Sequence, residues 1–304
     1  MLDLILLGNG AMMPLPNRWL SSFVVRYGSD LILFDCGEGT QIAQREHGWG
    51  FRRISTICLS HWHADHIAGL PGILFSLANA ERTEPVHIYG PAETIRVVNG
   101  LREVAPSMPF DLHIQELGDG DTFELLTGMT ASVVSGEHRN TPQLAWRLDV
   151  PRQREFNPDA ATQLAIPKRF WSKLQHGESV DIDGRIIPPD AVLGPERRGV
   201  SLGFITDTRP LPKHASFFHD VDLLISESTY MNGSDHEKAV AFGHMTMDEA
   251  VDLAQAAQAR RLLLTHFSAA VVEPLDYSDV LRKQFPTGEI GVSGWQTTLA
   301  FVDE

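Results

Sequence analysis

Four side chains able to bind metal ions lie within six consecutive positions of the chain. They are His61, His63, Asp65 and His66, in the segment LSHWHADHIAG. Imidazole nitrogen suits zinc and carboxylate oxygen suits harder cations, so one short loop carrying both can divide its ligands between two adjacent sites. A crowded polar surface turn is the alternative interpretation, but the flanking sequence argues against it. The pattern indicates a hydrolase built around a pair of metal ions.

The flanking residues predict the elements that hold this cluster. Residues 54–60 are typical of a short buried strand, and the apolar spacing from Ile67 through Leu70, Ile73 and Leu77 predicts a helix. We therefore expect the cluster to lie where a strand ends and a helix begins.

Further residues able to bind metal follow other strand-like runs. These are Asp35 after residues 31–34, His138 after 130–134, Asp207 after 201–205, Glu227 after 221–225 and His266 after 262–264. In open α/β folds, functional groups gather beyond the carboxyl ends of strands, so we expect these residues to converge on one edge. A lone histidine in such a place is more often structural. Only the whole set, with the first cluster, completes two coordination spheres.

His244 lies just before a predicted helix. Thr246 and Glu249 form a capping box, and apolar residues at 251, 253, 254 and 257 share one side of the helix that follows. His244 would stand at the positive end of this helix, near exposed amides, where a phosphate can bind. A plain helix-terminal histidine is the alternative.

Composition restricts the class of protein. A length of 304 residues permits one large α/β domain or two smaller ones, and 43% hydrophobic residues fit a globular chain. The start lacks a basic region and no stretch approaches about 20 apolar residues, so we expect no signal peptide, no membrane span and a cytoplasmic protein. Cys36 and Cys58 are interpreted as reduced thiols of the core.

Charge is unevenly distributed. The net charge of −14 disfavours a general affinity for nucleic acid, whose binding depends on cations that meet phosphates. Between residues 151 and 175 the balance reverses. The cations there are Arg152, Arg154, Lys168, Arg169 and Lys173, beside Phe170 and Trp171. This basic strip could hold an RNA backbone, and a solvated surface hairpin is the alternative.

Taken together, the motifs resemble the metallo-β-lactamase superfamily and, within it, the ribonuclease Z family of endonucleases that trim the 3′ end of transfer RNA precursors. The resemblance covers almost the whole chain. It comprises Gly8, Gly10, Pro14, Arg18 and Ser22, FDCGEGTQ at 34–41, LSHWHADHIAGLPG at 59–72, His138, FITDTR at 204–209, LLISESTY at 223–230, HMTMDEA at 244–250 and LLTHFS at 263–268. It implies an α/β fold, a four-layer αββα sandwich, as a single domain over residues 1–304 with an inserted arm at about 150–177.

The resemblance also implies a ligand set. One metal would be held by His61, His63 and His138, the other by Asp65, His66 and His266, with Asp207 as the bridge. Two ions about 3.5–4 Å apart can activate a shared water and clamp the attacking and leaving oxygens at phosphorus. Two zinc ions per chain are expected, with manganese or iron as the alternative at one site.

Roles in catalysis and binding follow from the same resemblance. His244 would protonate the departing ribose 3′-oxygen, Glu227 would orient its imidazole, and Asp65 could accept the proton of the nucleophile besides binding metal. The partner implied is precursor transfer RNA, left with a 3′-hydroxyl, and the assembly implied is a homodimer in which one subunit's arm serves the other's active site. The substrate contacts expected are Arg18, Lys168, Arg169 and Lys173.

The departures from the family pattern fall on the substrate side. Residues 166–170, IPKRF, lack the Gly-Pro tip of the family's arm, Ala270 and Val271 replace an arginine and a tyrosine, and Ser226 replaces a histidine. A hydrolase of small phosphodiesters, or of other esters such as lactones, therefore stays open as the alternative function. A catalytically idle RNA-binding paralogue is disfavoured because the ligand set and His244 are retained.

Overall fold

The computed structural model describes residues 1–105 and 107–302. The expected domain 1–304 also includes residues 106, 303 and 304, which lie outside the described residues. Contacts within the chain define two compact units. The first comprises Met1–Asp149 and Ser201–Ala300, and the second comprises Val150–Val200 with residues 301–302.

The first unit contains a seven-stranded mixed sheet formed mainly by its N-terminal half. Its strands are β1 Leu2–Gly8, β2 Ser22–Tyr27, β3 Asp30–Phe34, β4 Ile54–Cys58, β5 Val86–Gly90, β6 Leu112–Glu116 and β16 Gln296–Leu299. They are ordered β16-β1-β2-β3-β4-β5-β6. Strands β3 to β6 run parallel, so the carboxyl ends of β3 and β4 lie at the same edge.

A second seven-stranded sheet is formed by later strands. These are β7 Thr122–Leu126, β8 Met129–Ser135, β9 Leu144–Arg152, β12 Arg197–Ile205, β13 Leu223–Glu227, β14 Leu262–Thr265 and β15 Gly288–Ile290. They are ordered β15-β14-β13-β12-β9-β8-β7. Because β12, β13 and β14 are parallel neighbours, the residues that follow them are brought together at one end of the sheet.

Helices cover the outer face of each sheet. Those of the first half are α1 Thr40–Glu46, α2 Ala64–Ile67, α3 Leu70–Asn79 and α4 Thr94–Arg102; those of the second half are α7 Pro212–Phe217, α8 His236–Phe242, α9 Met247–Ala256 and α10 Ser278–Gln284. One apolar cluster joins the first sheet to its helices through residues such as Leu33 and Leu74, and another joins the second sheet to α9 and α10 through Leu264 and Val251.

Aromatic side chains fill the space between the two sheets. Phe23 on β2 lies 4.9 Å from Phe204 on β12, and Phe34 on β3 lies 5.9 Å from Trp146 on β9, each measured between ring centroids. The two sheets therefore face each other with helices outside. The predicted four-layer αββα sandwich is confirmed.

The second unit has a small core of its own. It contains α5 Pro158–Gln163, α6 Trp171–Gln175, β10 Val180–Ile182 and β11 Arg185–Ile187, and its buried residues include Ile166, Leu174 and Val180. The basic strip is thus helical over residues 158–163 and 171–175, and the hairpin formed by β10 and β11 follows it. The compact unit also extends further than the arm expected at about 150–177, while the single-domain organisation stays a prediction.

Two other expectations concern the chain as a whole. Cys36 and Cys58 are free and fully buried, as predicted for reduced core thiols. Within residues 1–105 and 107–302, no helix has the length and apolar character that crossing a membrane requires.

Candidate metal and active site

The backbone turns sharply where three strands deliver residues to the site. Asp35 after β3, Asp207 after β12 and His266 after β14 have φ angles of 51°, 47° and 56°. This left-handed region costs a residue other than glycine about 1–3 kcal/mol, although Asp and His tolerate it better than most. Such turns persist when the side chains are held firmly, which is the case for all three residues.

The helix expected after the H-x-H-x-D-H cluster begins earlier than the apolar spacing predicted. Asp65 and His66 lie within the short helix α2, and Gly69 separates α2 from α3. A Cβ atom on Gly69 would lie 2.2 Å from the carbonyl oxygen of Gly37, so only glycine permits this approach. The close packing brings His66 next to the turn that follows β3.

The first group of candidate ligands comprises three histidines and one carboxylate. Potential ligand atoms of His61, His63, His138 and Asp207 all lie within 4.8 Å of one another. Nε2 of His138 is 3.1 Å from Nδ1 of His63 and 3.6 Å from Oδ2 of Asp207. Two ligands bonded to zinc at about 2.0–2.1 Å in a tetrahedron are roughly 3.4 Å apart, so these spacings fit one ion.

A buried nitrogen without a hydrogen-bond partner also indicates that this group binds a cation. Nε2 of His61 is buried and has no hydrogen-bond partner among the described residues, yet it lies 3.7 Å from Oδ2 of Asp207. A buried polar atom without a partner is costly, and a bound cation would satisfy it. Burial also lowers the pKa of His61 and of His63, which keeps both imidazoles neutral with a lone pair available to a metal.

The second group of candidate ligands shares Asp207 with the first. It comprises Asp65, His66, Asp207 and His266. Oδ1 of Asp207 lies 3.2 Å from Nε2 of His66 and 3.1 Å from Nε2 of His266, whereas its Oδ2 faces the first group. One carboxylate therefore presents a different oxygen to each group, which is the geometry that a bridging ligand needs.

Charge controls the protonation of the second group. Burial lowers the pKa of His66, but the neighbouring Asp207 and Asp65 carboxylates raise it further, well above its ordinary value. Burial raises the pKa of Asp65, but His66 and His266 lower it more strongly, so its carboxyl is ionised. A cation bound here would take the place of the proton on His66.

Imidazoles that could bind metal are oriented by hydrogen bonds at their other nitrogen. Nδ1 of His66 donates to Asp35 over 2.8 Å, Nδ1 of His138 donates to the carbonyl of Gly243 over 3.0 Å, Nδ1 of His266 pairs with Thr229 over 2.9 Å, and Nε2 of His63 pairs with Thr141 over 2.9 Å. Such partners fix the ring and the tautomer of a ligand. Sequence reasoning missed Thr141 and Thr229, and noted Asp35 only for its place after a strand.

His244 and Glu227 form a buried pair beside the ligands. Nδ1 of His244 is 3.2 Å from Oε2 of Glu227, and Glu227 also accepts hydrogen bonds from Thr229 and from the backbone of Thr208 and Met245. Burial lowers the pKa of His244, but the Glu227 and Asp207 carboxylates raise it to about 9. The predicted capping box is present, since Thr246 caps α9 and Glu249 bonds back to it.

Four of the seven candidate metal-binding residues, together with His244, line one open cavity of about 210 Å³. Its walls are Met12, His63, Asp65, His138, Arg139, Asp207, Tyr230, Phe242 and His244. The cavity therefore combines carboxylates and imidazoles able to bind metal with an imidazole able to donate a proton, an arrangement suited to hydrolysis of a phosphodiester.

The residues expected on the substrate side have separate surroundings. Arg18 donates from its guanidinium to the carbonyls of Phe267 and Val271 over 2.7 and 2.6 Å, so it supports the loop that follows His266. Lys168, Arg169 and Lys173 are exposed on the second unit. There the Arg169 guanidinium lies 4.9 Å from the Phe170 ring and Lys168 lies 5.8 Å from the Trp171 ring.

Comparison with known proteins adds sequence and structural relatives. Residues 20–142 match the Metallo-beta-lactamase superfamily, and residues 191–267 match a Beta-lactamase superfamily domain. Ribonuclease Z of Lachnoclostridium phytofermentans is 40% identical over 301 residues, covering 99% of each chain. Ribonuclease Z of Agathobacter rectalis is 40% identical over 304 residues, covering 100% of each.

Solved structures share the fold at lower identity. Human tRNase Z, short form, matches with a TM-score of 0.71 and 21% identity, covering 98% of this chain and 100% of that one. The metallo-beta-lactamase fold protein YhfI from Bacillus subtilis matches with a TM-score of 0.68 and 20% identity, covering 97% and 98%. These likenesses show the metallo-β-lactamase fold.

Proposed function

The chain belongs to the ribonuclease Z family, and on that premise we propose that it is a metal-dependent endoribonuclease that removes the 3′ trailer from transfer RNA precursors. The observation that carries this proposal is the placement of Asp207, whose two carboxylate oxygens each face a separate group of histidines. A site of this kind suits hydrolysis at phosphorus. The reaction would leave a 3′-hydroxyl on the transfer RNA.

The residues present fit two bound metal ions. His61, His63 and His138 would hold one, Asp65, His66 and His266 the other, and Asp207 would bridge them. Bound there, the ions would supply a nucleophile at neutral pH and would neutralise charge that develops on the phosphate. The donor set favours zinc at both positions, with manganese or iron as the alternative at the position that includes Asp65.

Proton transfer to the leaving group falls to His244. Its Nδ1–H is held by Glu227, so Nε2 is the atom left to donate to the departing ribose 3′-oxygen. Glu227 keeps the imidazole charged and oriented without touching the substrate. Asp65 could also accept the proton of the nucleophile. Its Oδ2 accepts a hydrogen bond from the backbone N–H of Met12 over 2.7 Å.

The substrate is held by the second unit in this proposal. The exposed Lys168, Arg169 and Lys173 would contact the RNA backbone, and their nearby aromatic rings restrict the cations to that surface. Arg18 would act indirectly, by supporting the loop after His266. A cytoplasmic homodimer, in which one subunit's arm serves the other's active site, completes the proposal.

Cleavage of a precursor transfer RNA tests the proposed function. The zinc-loaded wild-type protein should cut the precursor once, after the mature 3′ end, at low salt. The matched control is Asp207→Ala, which should abolish cleavage. If the wild-type protein hydrolyses bis(p-nitrophenyl) phosphate but leaves the precursor intact, the small-phosphodiester hydrolase replaces the endoribonuclease.

A further inference from the structure

The cavity that holds the ligands also has an apolar wall that hydrolysis of a phosphate does not require. We propose that Phe242 stacks on a nucleobase flanking the scissile phosphate, so that the site binds a base as well as a phosphate. This inference rests on the proposed function. It adds a base-binding position made by this chain's own residues.

Two apolar side chains on the wall of this cavity are exposed to solvent. Phe242 keeps 44% of its surface exposed and Met12 keeps 70%, although both line the cavity that contains Asp65 and His244. Isolated exposed apolar residues are common on protein surfaces and need no explanation. Two that line the same cavity as the candidate ligands provide an apolar surface next to the reacting group, and a ligand that covers this surface is stabilised because apolar area is removed from water.

The backbone fixes Phe242 relative to a metal ligand. Phe242 ends α8, and Gly243 follows it with a φ angle of 72°. The carbonyl of Gly243 accepts a hydrogen bond from Nδ1 of His138 over 3.0 Å. A Cβ atom on Gly243 would lie 3.2 Å from that nitrogen, so glycine allows the close approach. Phe242 therefore directly precedes the residue whose carbonyl orients the candidate metal ligand His138.

The side chain of Arg139 contacts the aromatic ring of Phe242. The guanidinium of Arg139 lies 4.6 Å from the centroid of the Phe242 ring, and Arg139 directly follows His138. Cations attract the faces of aromatic rings, so this contact restrains the orientation of Phe242. It also places a positive charge at the wall of the cavity.

The chemistry of the cavity identifies the occupant. A ligand that fills this cavity meets His63, Asp65 and His138 as well as Phe242. A nucleotide suits both sides, because it joins a flat aromatic ring to a phosphate. Aromatic side chains bind single-stranded nucleic acid by stacking on bases with little regard to base identity. The position therefore suits an unpaired nucleotide next to the cut rather than a base pair.

Substitution of Phe242 measures the stacking. Phe242→Ala should lower kcat/KM for precursor transfer RNA about 5- to 150-fold, which corresponds to the loss of about 1–3 kcal/mol of base stacking. Phe242→Trp should keep activity near wild type, and Phe242→Leu should lose most of it despite its apolar side chain. The matched control is Phe75→Ala, because Phe75 is 61% exposed on α3 and does not line the cavity.

Precursors with one abasic nucleotide, placed on the 5′ or the 3′ side of the cut, identify the base. The effect of Phe242→Ala should disappear on one of these precursors and persist on the other, with metal content unchanged. Equal losses on the intact and both abasic precursors, or Phe242→Leu at the wild-type rate, overturn the stacking proposal. A wild-type protein that does not cleave the intact precursor instead contradicts the proposed function, and the base position with it.

Discussion

Nδ1 of His244 lies 3.2 Å from Oε2 of Glu227, a carboxylate that is completely buried. Because a carboxylate can only accept, Nδ1 carries the hydrogen, and Nε2 is the nitrogen that remains for a substrate. Glu227 is in turn held by the backbone N–H groups of Thr208 and Met245 over 2.7 and 3.1 Å. The pair is thus oriented before a substrate binds, which reduces the entropy cost of placing the proton donor.

Removal of His244 should affect acid catalysis alone. His244→Ala is expected to lower the rate on precursor transfer RNA by roughly 10²–10⁴ while metal content stays the same. Bis(p-nitrophenyl) phosphate should lose less, since its leaving group needs little protonation. Single-turnover rates on both substrates provide the measurement. Equal losses would remove His244 from the role of proton donor.

Neutralising Glu227 should shift the pH profile. The Glu227 charge raises the pKa of His244, which is about 9, so the protonated imidazole is present at neutral pH and lost as pH rises through that value. In Glu227→Gln the pKa falls, and the alkaline decline of kcat should begin at lower pH. The matched control is Glu237→Gln on the exposed side of α8. An unchanged alkaline midpoint in Glu227→Gln would contradict the role of Glu227.

Metal stoichiometry should reveal the bridging position. Elemental analysis after zinc reconstitution is expected to give two ions per wild-type chain. Asp207→Ala should fall below one, because both groups lose a ligand, whereas His61→Ala affects the first group alone and should keep about one. One equivalent or fewer in the wild-type protein would refute the two-ion site.

Sequence patterns predict the candidate metal ligands better than the residues that orient those ligands by hydrogen bonds. Strand ends are visible as apolar runs, so residues such as Asp207 and His266 can be assigned to one edge from the sequence alone. Thr141 and Thr229 cannot, because a hydroxyl hydrogen bond to an imidazole depends on tertiary distances and not on periodicity. The break between α2 and α3 is hidden for a similar reason, since Gly69 at this break approaches Gly37 closely, and that contact is tertiary.

The two thiols should be inert in the folded protein. Burial and the neighbouring Asp35 raise the pKa of both Cys36 and Cys58, so neither forms the reactive thiolate near neutral pH. We expect no alkylation by iodoacetamide at pH 8, as measured by mass spectrometry, and complete alkylation in denaturant. Rapid modification of the native protein at either position would contradict this burial.

Three exposed cations of the second unit should contribute to binding of the precursor transfer RNA. The net charge of −14 repels RNA, so the exposed cations Lys168, Arg169 and Lys173 must act locally if they hold the precursor. Replacing all three with alanine should weaken precursor binding and reduce the slope of log K against log salt by about 1 for each phosphate that the protein no longer binds. Filter binding across a salt series measures both quantities.

The control for this variant replaces three exposed cations of the first unit, Arg45, Arg53 and Lys283, with alanine, which changes net charge equally. If long-range charge alone governed affinity, the slope would fall equally in both triple variants. If the second unit binds phosphates, the slope falls only in the Lys168, Arg169 and Lys173 variant, while hydrolysis of bis(p-nitrophenyl) phosphate persists in both. Equal salt slopes in the two variants would therefore exclude the RNA-holding role of these three cations.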